Sequence, residues 1–229
     1  MEGNGIICNL KNNKLGENIF NFFLEALIEL NNEKIIYIGL SGRRSFNEFY
    51  SSLLSRKNEI SCWDKIRFCF VDERMVSLSS DDSNYKLVNK LLFNKLIENK
   101  LITSDQIISL NLEAKNIAKD YSIRIPKIDI AFFGSGEDGH IASLFPEHEL
   151  LHSQSNQFIS ISDSPKPPKK RITLSPKMIN TITYSCIVFK GEGKQEAFDT
   201  FRNKKKNSSK CPAKLIMNSL NWRVVSDLK

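Results

Sequence analysis

The feature that most constrains this chain is a regular alternation of short apolar runs with amphipathic stretches. "KIIYIGL" (residues 34–40), "IRFCFV" (66–71), "IDIAFFG" (128–134) and "YSCIVFK" (184–190) have the length and the β-branched or aromatic content of buried strands. Residues 15–30 instead carry apolar side chains at helical spacing. Strands that alternate with helices predict an α/β fold, a three-layer α/β/α sandwich around a mostly parallel sheet.

Weaker patterns complete the alternation. A helix over residues 82–96 is predicted to begin at Asp82 or Ser83, and Ser175 followed by Pro176 begins another. The proline-rich "SDSPKPPKKR" (162–171) predicts a loop over the sheet. The other predicted elements are helices at 46–54, 193–201 and 211–220, strands at 107–110 and 171–174, and an edge strand at 222–227. With no repeat and no dividing linker, residues 1–229 are predicted to form a single domain.

Composition argues against several classes of protein. No apolar run reaches the roughly 20 residues that span a bilayer, and the first ten residues, "MEGNGIICNL", lack the basic region of a signal peptide. The five cysteines are scattered and form no CxxC pair, which disfavours a disulfide framework and a cysteine zinc site. We therefore expect a cytoplasmic protein with reduced cysteines and no membrane partner.

The net charge of +7 favours anionic partners in general. Much of the excess comes from "FRNKKKNSSK" (201–210), which is typical of a solvated basic loop. The aromatic residues lie in apolar runs and are not interleaved with the basic ones, so nucleic-acid binding is not predicted. A small phosphorylated substrate needs only a few well-placed cations.

Four predicted strands end in unusual polar sequence. These segments are "GLSGRRS", "VDERMV", "GSGEDGH" and "KGEGK". The carboxyl ends of parallel strands meet at one edge of a sheet, where ligands bind in a crevice. The four segments are therefore predicted to form one site.

The segment "GSGEDGH" contains the strongest candidate for catalysis. His140 is placed to act as a general base at the mouth of the crevice, with Asp138 to orient its ring and with Gly136 and Gly139 to let substrate approach the backbone. The alternative is a plain turn in which the histidine caps the following helix. The choice between them depends on the neighbouring segments.

The other three segments supply candidate binding residues. Ser41 and Gly42 open a turn before a helix, where phosphate binds readily, although the spacing is not that of a P-loop. Asp72 and Arg74 directly end an apolar strand, and Lys194 begins a helix, where a cation is unfavourable unless an anion is near. The simpler interpretations are a common glycine–serine turn at Ser41 and Gly42, surface charge at Asp72 and Arg74, and a solvated lysine at Lys194.

The segment "HELLH" (residues 148–152) matches the HExxH pattern of zinc proteases and is a candidate metal site. That pattern requires a sustained helix and a third ligand. The residues that follow are poor helix formers, and the chain has no histidine beyond these two and His140. No metal and no cofactor are predicted.

Together these segments resemble the 6-phosphogluconolactonases. "GSGEDGHIASLFPEH", "FVDERMV" followed by "DDSNYKL", "SDSPKPPKKRITLSPKMIN", "FKGEGKQEAF" and "CPAKLI" all match motifs of that family, in order and over nearly the whole chain. The resemblance implies the fold of sugar-phosphate isomerases and deaminases. It also implies hydrolysis of 6-phosphoglucono-1,5-lactone to 6-phosphogluconate, a step of the oxidative pentose phosphate pathway, without metal or cofactor.

The resemblance also assigns roles to individual residues. His140 matches the general base, and Arg74, Arg171 and Lys194 match basic residues around the substrate, the last two as phosphate ligands. The chain departs from the family at "LSGRRSF", where relatives have Ser-Gly-Gly-Ser-Thr-Pro. Arg43 either contacts phosphate through its planar guanidinium, the reading that we favour, or points outward. Some relatives are fused to glucose-6-phosphate dehydrogenase, so association or fusion with that enzyme is a further expectation.

Two alternatives remain at this stage. Glucosamine-6-phosphate deaminases are similar around the DGH turn but usually continue with Phe-Asn-Glu-Pro, whereas this chain has Ser143 through Pro146 and no carboxylate there. The altered loop also allows a sugar-phosphate-binding module without catalysis. The presence of His140, Asp138 and Arg74 together favours the lactonase.

Overall fold

The computed structural model describes residues 4–9, 14–42 and 44–229. Its strands are β1 (Asn4–Asn9), β2 (Ile36–Leu40), β3 (Ile66–Phe70), β4 (Asp72–Arg74), β5 (Ile130–Gly134), β6 (Ile159–Ile161), β7 (Arg171–Thr173), β8 (Tyr184–Phe189) and β9 (Asn221–Ser226). Its α-helices are α1 (Leu15–Glu29), α2 (Asn47–Ser55), α3 (Asn84–Val88), α4 (Asn94–Glu98), α5 (Ile117–Arg124), α6 (Pro176–Ile179) and α7 (Gln195–Arg202). Turns of 3₁₀-helix lie at Arg44–Phe46, Lys57–Glu59, Trp63–Lys65, Ser104–Gln106, Glu149–His152, Glu192–Lys194 and Pro212–Asn218.

In the described part of the chain, six strands form a sheet in the order β1-β9-β8-β5-β2-β3. Every neighbouring pair in it is parallel. A smaller antiparallel sheet, in the order β4-β7-β6, stands beside it. The predicted mostly parallel sheet is confirmed, and the small sheet is an addition that places β7, a predicted strand, outside the main one.

Both faces of the main sheet are covered by helices. Along β5, Ile130 and Phe132 belong to one core, and Ala131 and Phe133 belong to the other, because successive side chains of a strand point to opposite faces. Helices α1 to α4 pack into the first core and α5 to α7 into the second. The predicted three-layer α/β/α architecture is therefore confirmed.

Two strand predictions were wrong in detail. The strand over residues 222–227 was predicted at an edge, but β9 lies between β8 and β1. The short apolar patch that forms β1 leaves Ile6 and Ile7 exposed, so it lacks the pattern of a buried strand. Residues 107–110 form no strand, because Ile107 meets Phe68 only in an isolated bridge and the Tyr121 hydroxyl donates to the carbonyl of Ile108.

The helix predicted over residues 82–96 is present as one continuous helical segment. Ser83 is its N-cap, with its Oγ accepting a hydrogen bond from the backbone N–H of Lys86 at 3.2 Å. A π-helical turn at Asn89–Phe93 joins α3 to α4. None of the helices in residues 4–9, 14–42 and 44–229 has the length and apolar composition needed to traverse a bilayer.

Candidate active site

The polar segments that end four strands lie at one edge of the main sheet, as predicted. β8, β5, β2 and β3 are consecutive and parallel, so the residues after each of them emerge on the same side. The described residues of 190–194, 135–140, 41–42 with 44–45, and 71–74 consequently follow one another along this edge. The site is built at the carboxyl ends of the strands, where parallel sheets bind ligands.

The turn after β5 holds His140 against Asp138. The imidazole Nδ1 lies 2.5 Å from Asp138 Oδ1, and the same oxygen accepts the backbone N–H of His140 at 3.2 Å. Partial burial opposes ionisation of Asp138, but the hydrogen bond and charge of His140 outweigh it and hold the pKa of Asp138 well below its usual range. A carboxylate on Nδ1 orients the ring and directs Nε2 to the role of proton acceptor.

His140 is more deeply buried than a residue at the mouth of a crevice is expected to be. Only 2% of its surface is exposed, whereas the side chain of Asp138 is 37% exposed. The ring of Phe145 packs on the imidazole, with centroids 4.6 Å apart. The histidine is therefore rigidly held at the sheet edge, and Asp138 forms its polar boundary toward solvent.

The three side chains of strand β4 point alternately to opposite faces, and the two faces have different roles. Asp72 and Arg74 point to one face, and Glu73 points to the other. Glu73 accepts the backbone N–H groups of Asn84 at 2.8 Å and Tyr85 at 2.7 Å, which ties β4 to the start of α3. Burial raises the pKa of Glu73, although these N–H donors lower it.

Arg74 is only partly satisfied by its surroundings. Its Nη1 donates to the carbonyl of Asp82, while its buried Nε–H has no hydrogen-bond partner among the described residues. It stands opposite Arg171 in the β4–β7 ladder. Two arginines side by side attract an anion, and an unpaired buried donor is a natural contact for a ligand oxygen.

A buried network connects β4 to the turn that holds His140. Ser143 Oγ donates to Asp72 Oδ2 at 2.8 Å and accepts Arg171 Nη1 at 3.3 Å. Arg171, predicted as a phosphate ligand, is 4% exposed and donates to the carbonyls of Lys166, Pro167 and Pro168 at 2.8 to 2.9 Å. Its guanidinium is thus committed to holding this loop, and a direct contact with phosphate stays a prediction.

A cationic cavity opens beside the histidine turn. It has a volume of about 440 Å³ and is lined by Arg44, Ser45, Ser135, Val188, Lys190, Gly191 and Lys194. Lys194 lies 3.4 Å from Glu137 Oε1, and Lys190 lies 2.5 Å from Glu48 Oε1. The cavity therefore contains three basic side chains, which suit a small anion, and two of them already contact a carboxylate.

The remaining predicted residues that the structure describes belong to the loop after β2 and to the turn after β5. The carbonyl of Ser41 accepts the Tyr50 hydroxyl at 3.0 Å. A Cβ on Gly42 would stand 2.2 Å from Asn84 Oδ1, so the loop after β2 packs directly on α3. Arg43 lies outside the described residues, and its predicted contact with phosphate stays a prediction. Gly136 and Gly139 form the turn itself, where Gly139 has a φ of +81°.

The HExxH-like segment is a short 3₁₀ turn, Glu149–His152, which differs from the sustained helix of a zinc protease. His148 caps this turn, with its Nδ1 accepting the N–H of Leu150 at 3.2 Å and its Nε2 3.3 Å from Asp163. In the described part of the chain, no three His, Cys, Asp or Glu side chains cluster closely enough to hold a metal ion.

Comparison with known proteins agrees with this geometry. The family described as glucosamine-6-phosphate isomerases/6-phosphogluconolactonase matches residues 11–224. The chain belongs to this family. A 6-phosphogluconolactonase of Borreliella burgdorferi is 32% identical over 224 residues, which are 95% of this chain and 93% of that protein.

Other relatives extend the likeness at lower coverage or identity. The chloroplastic 6-phosphogluconolactonase 3 of Arabidopsis thaliana is 35% identical over 63% of this chain but only 49% of its own length. The crystal structure of 6-phosphogluconolactonase from Thermotoga maritima superposes with a TM-score of 0.82 over 98% of this chain and 100% of its own, at 23% identity. That structural match shows the fold shared within the glucosamine-6-phosphate isomerase/6-phosphogluconolactonase family.

Several residues of this site were not predicted. Ser143, Phe145 and Lys166 act through contacts with Asp72, His140 and Asp138. A sequence signal existed for the first two, because they directly follow the histidine. Lys166 and the Lys190–Glu48 pair have no such signal, since lysines in loops are usually solvated.

Proposed function

We propose that this protein hydrolyses 6-phosphoglucono-1,5-lactone to 6-phosphogluconate. The observation that supports it most is the His140–Asp138 pair on the turn that borders a cavity with three basic side chains. The lactone has the matching features, an activated ester at one end and a phosphate at the other. The Borreliella burgdorferi relative, which bears the name 6-phosphogluconolactonase, adds support because the likeness covers both chains almost completely.

In the proposed reaction, His140 Nε2 removes a proton from water as that water attacks the lactone carbonyl. Asp138 keeps Nδ1 protonated and stabilises the imidazolium that forms. When the ring C–O bond breaks, the imidazolium returns the proton to the leaving ring oxygen. General base catalysis of this kind typically contributes about 10²–10⁴-fold.

The carbonyl oxygen becomes an alkoxide during attack and requires a donor. The backbone N–H of Gly136 donates to the carbonyl of His140 at 2.8 Å, and that of Gly139 donates to the carbonyl of Gly136 at 3.2 Å. Both groups are occupied within the turn, whereas Arg74 retains an Nε–H with no partner in the described ranges. We therefore favour Arg74 as the oxyanion donor, a role worth roughly 10²–10³-fold.

The phosphate of the substrate is proposed to occupy the cavity beside Lys194 and Arg44. A phosphate monoester carries nearly two negative charges at neutral pH, which suits two basic side chains. Anchoring the substrate at this end fixes the carbonyl near His140. Ser41 and Gly42 lie on the neighbouring loop, and Arg43, which is outside the described residues, stays a predicted phosphate contact.

The family description also names glucosamine-6-phosphate isomerases. The second candidate is therefore a deaminase or isomerase that acts on glucosamine 6-phosphate. No observation favours it here. The position after the histidine turn that we expect to be a carboxylate in deaminases is filled by Phe145, whose ring packs on the imidazole. A binding module without catalysis would not need the short His140–Asp138 contact.

The test is a spectrophotometric assay with freshly generated lactone, run beside ammonia release from glucosamine 6-phosphate. We expect lactone hydrolysis well above the spontaneous rate and no ammonia release. His140→Ala should lose about 10²–10⁴-fold in turnover and still bind 6-phosphogluconate. His152→Ala removes an exposed imidazole and is the matched control. Wild-type turnover in His140→Ala would refute the assignment of the base, and ammonia release would identify a deaminase.

The proposal extends to partners and location. The partner is a small sugar phosphate, with no nucleic acid or membrane, and an association or fusion with glucose-6-phosphate dehydrogenase stays a prediction. The cysteines at 8, 62, 69, 186 and 211 are all unpaired, which suits a reducing compartment such as the cytoplasm. Thiol counting of protein purified without reductant tests this, because intact thiols are expected at all of these positions.

A further inference from the structure

The loop over residues 164–170 is clamped by a single buried arginine. Arg171 donates from Nε to the carbonyl of Pro168 at 2.8 Å, and from Nη2 to those of Lys166 at 2.8 Å and Pro167 at 2.9 Å. Ser164 closes the loop, because its Oγ donates to the carbonyl of Lys166 at 2.8 Å. A planar guanidinium with several fixed donors is well suited to hold a chain segment in one conformation.

The loop over residues 164–170 places the ammonium group of Lys166 beside the His140–Asp138 pair. Lys166 Nζ lies 3.8 Å from Asp138 Oδ2, while the other carboxylate oxygen contacts His140 Nδ1. Arg171 also lies over the ring of Phe145, 5.8 Å from its centroid, and Phe145 packs on the imidazole. His140, Asp138, Lys166, Arg171 and Phe145 thus form a closed ring of contacts.

We propose that Lys166 is a positioning residue that lowers the basicity of His140 through Asp138, and that Arg171 serves the site by holding Lys166 there. This inference rests on the proposed lactonase function. It departs from the prediction that Arg171 binds the substrate phosphate, since Nε and Nη2 donate to carbonyls of the loop and Nη1 donates to Ser143 Oγ. The physical effect is that an ammonium beside Asp138 offsets part of the carboxylate charge that favours the imidazolium.

The size of the effect follows from exposure. The Lys166 side chain is 47% exposed, so solvent screens its charge. Solvent screening limits the size of the change, so the expected result is its direction. Lys166→Met should move the acidic limb of the pH profile of kcat/KM measurably upward.

Other charged groups face the His140–Asp138 pair, and they are the same in wild type and in Lys166→Met. Glu137, Lys206 and Lys210 line a second cavity together with Asp138. The Cys211 thiol lies against Gly139, and Asp72 reaches the turn through Ser143. Because Lys166→Met leaves all of these unchanged, the shift reports the loop lysine.

The experiment measures pH profiles of kcat/KM for Lys166→Met, Lys166→Arg and the control Lys169→Met, which removes the same charge from the same loop at an exposed position. We expect an upward shift in Lys166→Met, recovery in Lys166→Arg and no shift in Lys169→Met. Arg171→Lys keeps the charge but loses the planar fork, so it should shift the limb in the same direction. The double variant Arg171→Lys with Lys166→Met should shift no further than Lys166→Met alone.

Titration of the histidines by NMR, assigned with His148→Ala and His152→Ala, separates this inference from the proposed function. It reads the pKa of His140 whether or not the protein hydrolyses the lactone. An unchanged His140 titration in Lys166→Met overturns the inference, and so does an equal shift in Lys169→Met. Should Arg171→Lys fail to fold, the Lys166 variants still decide the role of Lys166, and additive shifts in a folded double variant would overturn the role of Arg171.

Discussion

At the scale of single residues, the site depends on Gly136 having no side chain. A Cβ on Gly136 would stand 2.0 Å from His140 Nδ1 and 2.4 Å from Asp138 Oδ1. Real Cβ atoms do not approach heavy atoms so closely, and both atoms belong to the pair itself. Glycine is therefore required at position 136, because any side chain there would occupy the space of the His140–Asp138 contact.

Gly136→Ala is predicted to separate His140 from Asp138 and to lower kcat by about 10²-fold or more, because the base loses its orienting partner. Gly193→Ala is the matched control, since its added Cβ would lie 3.5 Å from Glu137 Oε1, an ordinary contact. The measurement is steady-state lactone hydrolysis together with thermal unfolding. A folded Gly136→Ala variant with unreduced kcat would contradict the importance of this contact.

At the scale of elements, β4 shows how alternation distributes chemistry. One short strand presents Asp72 and Arg74 to the site and sends Glu73 to the opposite face. There Glu73 accepts the backbone N–H groups of Arg74, Asn84 and Tyr85 and the Ser83 hydroxyl. The start of α3 is thus fixed to the strand that carries Arg74. The carboxylate of Glu73, which lies outside the site, therefore helps to position Arg74 within it.

Glu73→Gln is predicted to destabilise the fold by about 1–3 kcal/mol at neutral pH, because an amide NH₂ would face backbone N–H donors. The direction in which the stabilising effect of Glu73 changes with pH also follows from its pKa. Burial raises the folded-state pKa of Glu73, so its contribution to stability is largest below the unfolded pKa of about 4.3 and is lost as pH rises through the folded value. The variant should lack that decline.

Chemical denaturation at several pH values measures both effects. Glu98→Gln is the control, because it makes the same change at an exposed position at the end of α4 and should alter stability by less than about 0.5 kcal/mol. Equal stability of Glu73→Gln and wild type at neutral pH would show that the carboxylate does not fix α3.

At the scale of the whole molecule, the six-stranded sheet lies between two hydrophobic cores and contributes side chains to both. Phe132 on β5 packs against Phe23 of α1 and Phe49 of α2, with ring centroids 5.8 and 4.7 Å apart. Phe133, its neighbour, belongs to the core on the other face. Because adjacent residues of one strand serve both cores, we expect the cores to unfold together and residues 1–229 to behave as a single domain.

The two tryptophans test that expectation, because Trp63 precedes β3 at one end of the strand order and Trp222 lies in β9 near the other. The tryptophan fluorescence of Trp63→Phe comes from Trp222 and reports the β9 end of the sheet. The fluorescence of Trp222→Phe comes from Trp63 and reports the β3 end. Within each variant, the fluorescence midpoint in denaturant should coincide with the midpoint from circular dichroism. Separate midpoints would indicate two units that unfold independently.

Much of the fold and the centre of the site could be predicted from local sequence. The largely apolar runs of β2, β3, β5 and β8 are recognisable because strands buried on both faces have few polar positions. His140 and Asp138 are two residues apart on one turn, so their contact depends on little beyond that turn. The interior position of β9 was missed because strand order depends on pairing between distant segments.

Local sequence patterns are enough to predict the alternation of elements, the common edge of the polar strand ends and the histidine that faces Asp138. They do not show that Arg171 holds the loop over residues 164–170, that Lys166 lies beside Asp138 or that Ser143 links Asp72 to Arg171. For Ser143 the physical reason is range, because periodicity and turn chemistry act over a few residues, whereas its contacts join residues that lie 28 and 71 positions apart in the chain. The contacts of Arg171 with the loop span only three to five positions, but they depend on the burial of its side chain in the folded protein.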